Sequence, residues 1–147
     1  MPRRELLDLE PGEEILVAAR ASFRGAAAVT TRATFALGSG RMRLRAYHEW
    51  QDAANASGFG PVPPDMIIAV SDRRILFGKP TFWGRMPPGF WSAIYHDDVA
   101  KIVAVQHGLV TGVAFGLTSG GVVEIEAMRG ARLRRLVRIV DARHPHE

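Results

Sequence analysis

Met66-Ile-Ile-Ala-Val-Ser-Asp-Arg-Arg-Ile-Leu-Phe77 sets two short apolar runs on either side of Ser71-Asp72-Arg73. Serine and aspartate side chains bond their own backbone in tight turns, so this stretch predicts a β-hairpin. Asp72 is expected to accept turn amides, and Arg73 or Arg74 to pair with a carboxylate. Ile68, Val70, Ile75 and Phe77 are the expected buried positions. Further along, Ala93-Ile-Tyr-His-Asp-Asp-Val-Ala-Lys-Ile-Val-Ala-Val105 reads as a strand, a polar bend and another strand. Asp97 and Asp98 stand where a short helical turn begins, where carboxylates cap free amides and favour the positive dipole end.

Working outward, Glu14–Ser22 follows Pro11-Gly12 and predicts a first strand. Residues 23–64 read as an insertion after it. Ala26–Leu37 is apolar with threonines and reads as either strand or helix, and Gly38-Ser39-Gly40 breaks it. From Arg41 to Ala56, Met42, Ala46, Trp50 and Ala53 recur at helical period, which predicts one amphipathic helix. Gly58–Pro64 is extended, because each proline biases its predecessor away from helix. Residues 79–92 form a loop. Strands are expected at 92–95, 101–106, 110–118 and 121–127, with turns at Gly108 and Thr118–Gly121. A last helix over Arg129–Ala142 follows from Leu133, Leu136, Val137 and Val140 at i, i+3, i+4, i+7.

The hairpin and the bend together resemble the bacterial pleckstrin-homology-like (PH-like or GRAM-like) domains, which carry a T-D-R-R-L hairpin and then an I-P-Y-D-D-I bend. The matching residues here are Ser71-Asp72-Arg73-Arg74-Ile75-Leu76 and Ile94-Tyr95-His96-Asp97-Asp98-Val99. The likeness covers roughly 14–22 and 66–142. The bend departs from the pattern by an extra histidine and no proline, and 23–64 has no counterpart in a minimal domain of this kind. The resemblance implies a mainly β fold, with two nearly orthogonal antiparallel sheets of seven strands forming a sandwich or barrel capped by the C-terminal helix. It also implies a non-enzymatic binding or scaffolding role, recognising a protein, peptide or lipid surface or self-assembling, of which a protein or peptide surface or self-assembly is the expected one.

Composition agrees with one domain over residues 1–147. The chain is 47% apolar and 23% charged, with no cysteine, which excludes disulfides, thiolate nucleophiles and sulfur-bound metals. Neither a signal-peptide core nor a run of the ~20 apolar residues a membrane span needs is present. The expected location is therefore cytoplasmic, with membrane association as the alternative. Residues 1–127 carry 13 basic and 13 acidic side chains, so the +4 net charge resides in the last twenty residues.

No nucleophile elbow, phosphate loop or His-Glu-x-x-His motif occurs, and no cofactor is expected. His96-Asp97-Asp98 converge poorly as metal ligands, because adjacent strand residues face opposite ways. Glu124 and Glu126 read as a solvated strand face, since acid–base work needs both in a pocket. His144-Pro-His146 is a terminal tail without a role.

Two features are candidates for binding. One is the arginine side of the last helix, with Arg132, Arg135 and Arg138, read otherwise as a solvated face partly paired with strand carboxylates. The other is the 79–92 loop, where Phe82, Trp83, Phe90 and Trp91 stand beside Lys79 and Arg85. Its rings either meet a partner or fold back over the barrel mouth or onto the 41–56 helix. An anionic membrane is the alternative partner, although a +4 excess supplies only about 4 kcal/mol, a millimolar affinity. Nucleic acid and small-molecule substrates are not expected.

Overall fold

The computed structural model describes residues 6–25, 39–81, 86–128 and 130–143. Seven strands run β1 (Ile15–Phe23), β2 (Asp65–Ser71), β3 (Arg74–Gly78), β4 (Ser92–Tyr95), β5 (Val99–His107), β6 (Val110–Leu117) and β7 (Val122–Met128). A single 3₁₀ turn, His96–Asp98, separates β4 from β5. Two helices are described, α1 (Ser39–Ala56) and α2 (Ala131–Ala142). All neighbours are antiparallel, in the order β4-β3-β2-β1-β7-β6-β5.

The strands form one sheet, where the sequence led us to expect two. The reason lies in β1. Its body pairs with β2 from Ile15↔Ser71 to Ser22↔Asp65, and its last two residues also pair with β7, at Ser22↔Glu126 and Phe23↔Ile125. This short link joins two local meanders, β2–β3–β4 and β5–β6–β7. β4 and β5 remain edges, so the sheet does not close into a barrel.

One face of the sheet carries the core. Along β1, Val17, Ala19, Ala21 and Phe23 are buried at the two-residue spacing of a pleated strand. Ile68, Val70, Ile75 and Phe77 of the hairpin are fully buried on the same side, as their pattern predicts. Phe77 sits at the centre, with its ring edge-on to Phe59 at 4.8 Å and to Phe115 at 6.3 Å. Helix α2 packs across β1, β2 and β5, burying Leu133, Leu136 and Val140, with Val137 half-buried beside them.

The opposite face is covered over β2 and β3, where Ala69 and Leu76 are buried beneath Phe90. Burial on both faces explains why these two strands read as unbroken apolar runs. Phe90 is held there by a bridge to Leu7, with N–H to C=O distances of 2.7 and 2.9 Å. The expectation that the loop aromatics cover a barrel mouth or pack on α1 is therefore corrected for Phe90. Phe82, Trp83 and Arg85 lie outside the described residues, as do Ala26–Gly38.

Helix α1 forms as expected, and Trp50 of the expected stripe faces the core, but at the C-terminal end the inward residue is not the expected one. Ala54 is buried and Ala53 exposed. Tyr47 and Trp50 meet Phe23, with ring centres at 5.8 and 6.3 Å. The Tyr47 hydroxyl donates to the Val62 carbonyl at 2.5 Å, and Gln51 Oε1 accepts from the Val62 amide at 2.9 Å. These bonds fasten the helix to the extended 58–64 segment. Among the described residues no helix is long and apolar enough to cross a membrane.

Candidate functional site

Two places concentrate chemistry. The first is a buried polar knot where the segment before β1 meets the β2–β3 turn. Ser71, at the end of β2, accepts the Arg73 and Arg74 amides on its Oγ at 3.0 and 2.9 Å. The turn is thus closed by the serine. Asp72, expected to do this, instead reaches across to the start of β1, accepting the Glu14 amide at 2.9 Å.

Arg74 turns inward and binds Glu13 through Nε at 3.0 Å and Nη2 at 2.8 Å, while Nη2 also donates to the Asp8 carbonyl at 2.7 Å. The Ser71 hydroxyl donates to Glu13 at 2.5 Å, and the Glu10 amide does so at 2.9 Å. Both charged side chains are almost wholly buried. The Arg74 guanidinium holds the Glu13 carboxyl down to about 2, against the opposing pull of burial, with Ser71 and the Glu10 amide helping. The same ion pair raises Arg74. His96 completes the knot, its Nε2 donating to the Ser71 carbonyl at 2.8 Å.

This arrangement fastens chain rather than activating it. Among the described residues the carboxylate touching Ser71 is Glu13, whose lowered pKa makes it a weak base toward that hydroxyl. His96 faces a backbone carbonyl, and Asp97 and Asp98 are exposed, so the three do not converge. Among the described residues no group of three potential metal ligands occurs. Nor do the two aspartates cap the 3₁₀ turn as expected: the N-cap position is Tyr95, without a side-chain cap bond.

The second place is a trough of about 380 Å³ on the outer face of β5–β6–β7. Along β6, Val113 and Phe115 point into the core, which leaves Gly112, Ala114 and Gly116 for the outer face. Small residues there make a low floor. Val103 and Val105 of β5 form one wall, and Glu124 and Glu126 of β7 the other, with Arg24. Both glutamates therefore line a cavity where the sequence led us to expect an open solvated face. Each is already engaged. Arg24 pairs with Glu124, and Glu126 accepts the Gly25 amide at 2.6 Å. The Trp50 indole N–H donates to the Glu124 carbonyl at 2.6 Å, which fixes α1 along this wall.

Of the residues singled out from sequence, Lys79 is exposed and Trp91 half-buried. Arg132, Arg135 and Arg138 are exposed along α2, and none forms an ion pair among the described residues, contrary to the expected pairing with strand carboxylates. Helix α2 packs on the core face, whereas Phe90 seats the end of the loop on the opposite face. The fold therefore does not draw the two candidate features toward one patch through Phe90. Neither Glu13 nor the trough was singled out from sequence. The trough had a signal in Val110–Leu117, where glycine and alanine alternate with Val113 and Phe115.

No protein-family model matches the chain, and comparison with curated proteins gives no match.

Proposed function

We propose that this chain is a non-enzymatic binding and scaffolding module of the pleckstrin-homology-like type that recognises a protein or peptide surface or self-associates. The strand order and the C-terminal helix over the core face support the resemblance. So does the narrow β1–β7 link, which suits two half-sheets turned against each other. The observation that carries the functional reading is the valine-walled, glycine-floored trough beside β5, an edge strand of the sheet among the described residues. Extended peptides gain affinity from main-chain pairing at such edges and selectivity from alternate side chains seated in hollows.

The test is fluorescence anisotropy with a panel of labelled extended peptides that alternate valine or isoleucine with polar residues. Saturable binding that weakens at least tenfold in Val103→Lys is the expected result. A panel with no saturable member sinks the reading.

A second reading, an anionic membrane surface met by Arg132, Arg135 and Arg138, is favoured by their exposure and by their forming no ion pair among the described residues. Lys79, Arg85, Phe82, Trp83 and Trp91 belong to the same reading. Vesicles of phosphatidylserine and phosphatidylcholine separate the two. Salt-sensitive binding to the anionic vesicles alone, with a blue shift of tryptophan emission, supports the membrane role.

A further inference from the structure

The two edges of the sheet differ in how they are protected. β4 has four residues, follows the Leu7–Phe90 bridge and runs into the turn that buries His96. Its last residue, Tyr95, is tied to Glu10 through a 2.7 Å hydrogen bond. β5 has nine residues, and every one from Val103 to Gln106 is exposed. Natural edges are blunted by proline, by inward charges, by short length or by bulges. In β5 the register shift falls at Val99–Lys101, which leaves the rest of the strand regular, and no proline interrupts it.

Alternation along the β5–β6 hairpin says which groups point outward. His107↔Val110 closes the two-residue loop Gly108–Leu109, in which Gly108 adopts φ +65°. A closing pair of this kind exchanges hydrogen bonds, so bonding to β6 recurs at Val105 and Val103. The amides and carbonyls of Ile102, Ala104 and Gln106 then face the open edge. The Val103 and Val105 side chains, 40% and 49% exposed, lie on the trough face between them.

We propose that β5 is a self-association edge that pairs antiparallel with β5 of a second copy, with Ala104 on the two-fold axis. This rests on the binding-module reading above and names its partner. With the axis at Ala104, Ala104 bonds its own copy and Ile102 bonds Gln106, giving three hydrogen-bonded pairs. Val103 falls opposite Val105 twice, at the non-hydrogen-bonded sites where side chains approach most closely. An axis at Val103 sets Val105 against Lys101, and an axis at Val105 sets Val103 against His107. Only the Ala104 axis matches both valines with valines. This self-match favours a second copy over a foreign strand, and a two-fold contact closes on itself without growing filaments.

The area is modest. Seven residues at about 3.4 Å each make a strip roughly 24 Å long, covering on the order of 500 Å² per copy. The total is close to the ~1,000 Å² that a specific interface needs, so the dimer is reversible rather than obligate.

Light scattering behind size exclusion, over loadings from low micromolar to near millimolar, tests the inference. The expected mass of the full chain rises with concentration from 16.1 kDa toward twice that value. Ala104→Pro removes one outward amide without touching a β5–β6 bond, since proline is tolerated where its missing N–H faces solvent. It is expected to stay monomeric at every loading. Val103→Lys/Val105→Lys sets lysines against each other and is also expected to be monomeric, whereas Val103→Lys/Val105→Glu matches opposite charges in this register and regains the dimer. A wild-type chain that stays monomeric overturns the proposal, as do Ala104→Pro and Val103→Lys/Val105→Lys chains that dimerise like wild type. A monomeric wild type that still takes up extended peptides defeats only the second-copy inference and leaves the binding reading standing.

Discussion

Removing Arg74 leaves the Glu13 carboxylate buried with its main partner gone. The Glu13 carboxyl titrates near 2 in the fold against an ordinary 4.5. At about 1.4 kcal/mol per unit, that depression corresponds to roughly 3 kcal/mol of stability. Deleting one member of a buried pair costs about 3–5 kcal/mol, which is of the same order. Arg74→Ala is therefore expected to lose about 3 kcal/mol in urea unfolding. Arg73→Ala breaks only the exposed 3.6 Å contact with Glu10 and is expected to lose less than about 1 kcal/mol. The sign with pH follows from the depressed carboxyl. The contribution is fully present above pH 4.5 and is lost as pH falls toward 2, because the unfolded chain takes up the proton first. In wild type, stability should thus fall between pH 5 and 2 more steeply than in Glu13→Gln, which has no such proton to bind. Urea midpoints of the two proteins across that range are the measurement. Parallel pH profiles for wild type and Glu13→Gln, or equal losses for Arg73→Ala and Arg74→Ala, would refute the reasoning.

Leu136→Ala, at a fully buried position of α2, is expected to cost about 2–5 kcal/mol, while Arg135→Ala on the exposed side changes stability little. Thermal melts of the pair check which face is docked. Gly112→Ala places its methyl 3.8 Å from the nearest carbonyl, in ordinary contact, and is expected to be neutral or to stabilise by up to about 1 kcal/mol. Gly121→Ala instead drives its methyl to 2.5 Å from the Ser57 carbonyl and is expected to lower the melting temperature.

Local pattern carried most of the secondary structure. The β2–β3 hairpin, the later strands and α2 each announce themselves within a dozen residues, through two-residue or helical spacing and a turn former. Long-range features were harder to see. The Glu13–Arg74 pair spans 61 positions, and nothing in either neighbourhood marks one as the other's partner. On α1 the expected stripe followed Ala53 because Tyr47 was not counted as inward-facing. Its ring packs on Phe23 while its hydroxyl reaches Val62, a dual character that a simple apolar pattern misses. Of the loop rings, Phe90 packs on Ala69 and Leu76, a pairing that no local pattern in 79–92 announces. The division into two sheets failed at two residues, Ser22 and Phe23, whose pairing with β7 depends on where a strand 99 residues further on comes to lie.

That same joint bears on the order of folding. β2–β3–β4 and β5–β6–β7 are meanders whose partners are close in sequence, so each forms with little chain to close. β1 belongs to neither. It pairs with β2 only after the connection of residues 24–64 has been looped out, and with β7 across most of the chain. Contacts of such separation are made late, because the entropy of closure is spent before any bond returns it. β1 is thus the strand whose pairing joins the two meanders into one sheet, and its long-range contacts are expected to form late. Closure entropy grows only logarithmically, so even a doubling of the 24–64 connection adds about 0.6 kcal/mol. The seven residues of β1 that meet β2 are held to their length by the register, and α1 within the connection is held by Tyr47 and Trp50.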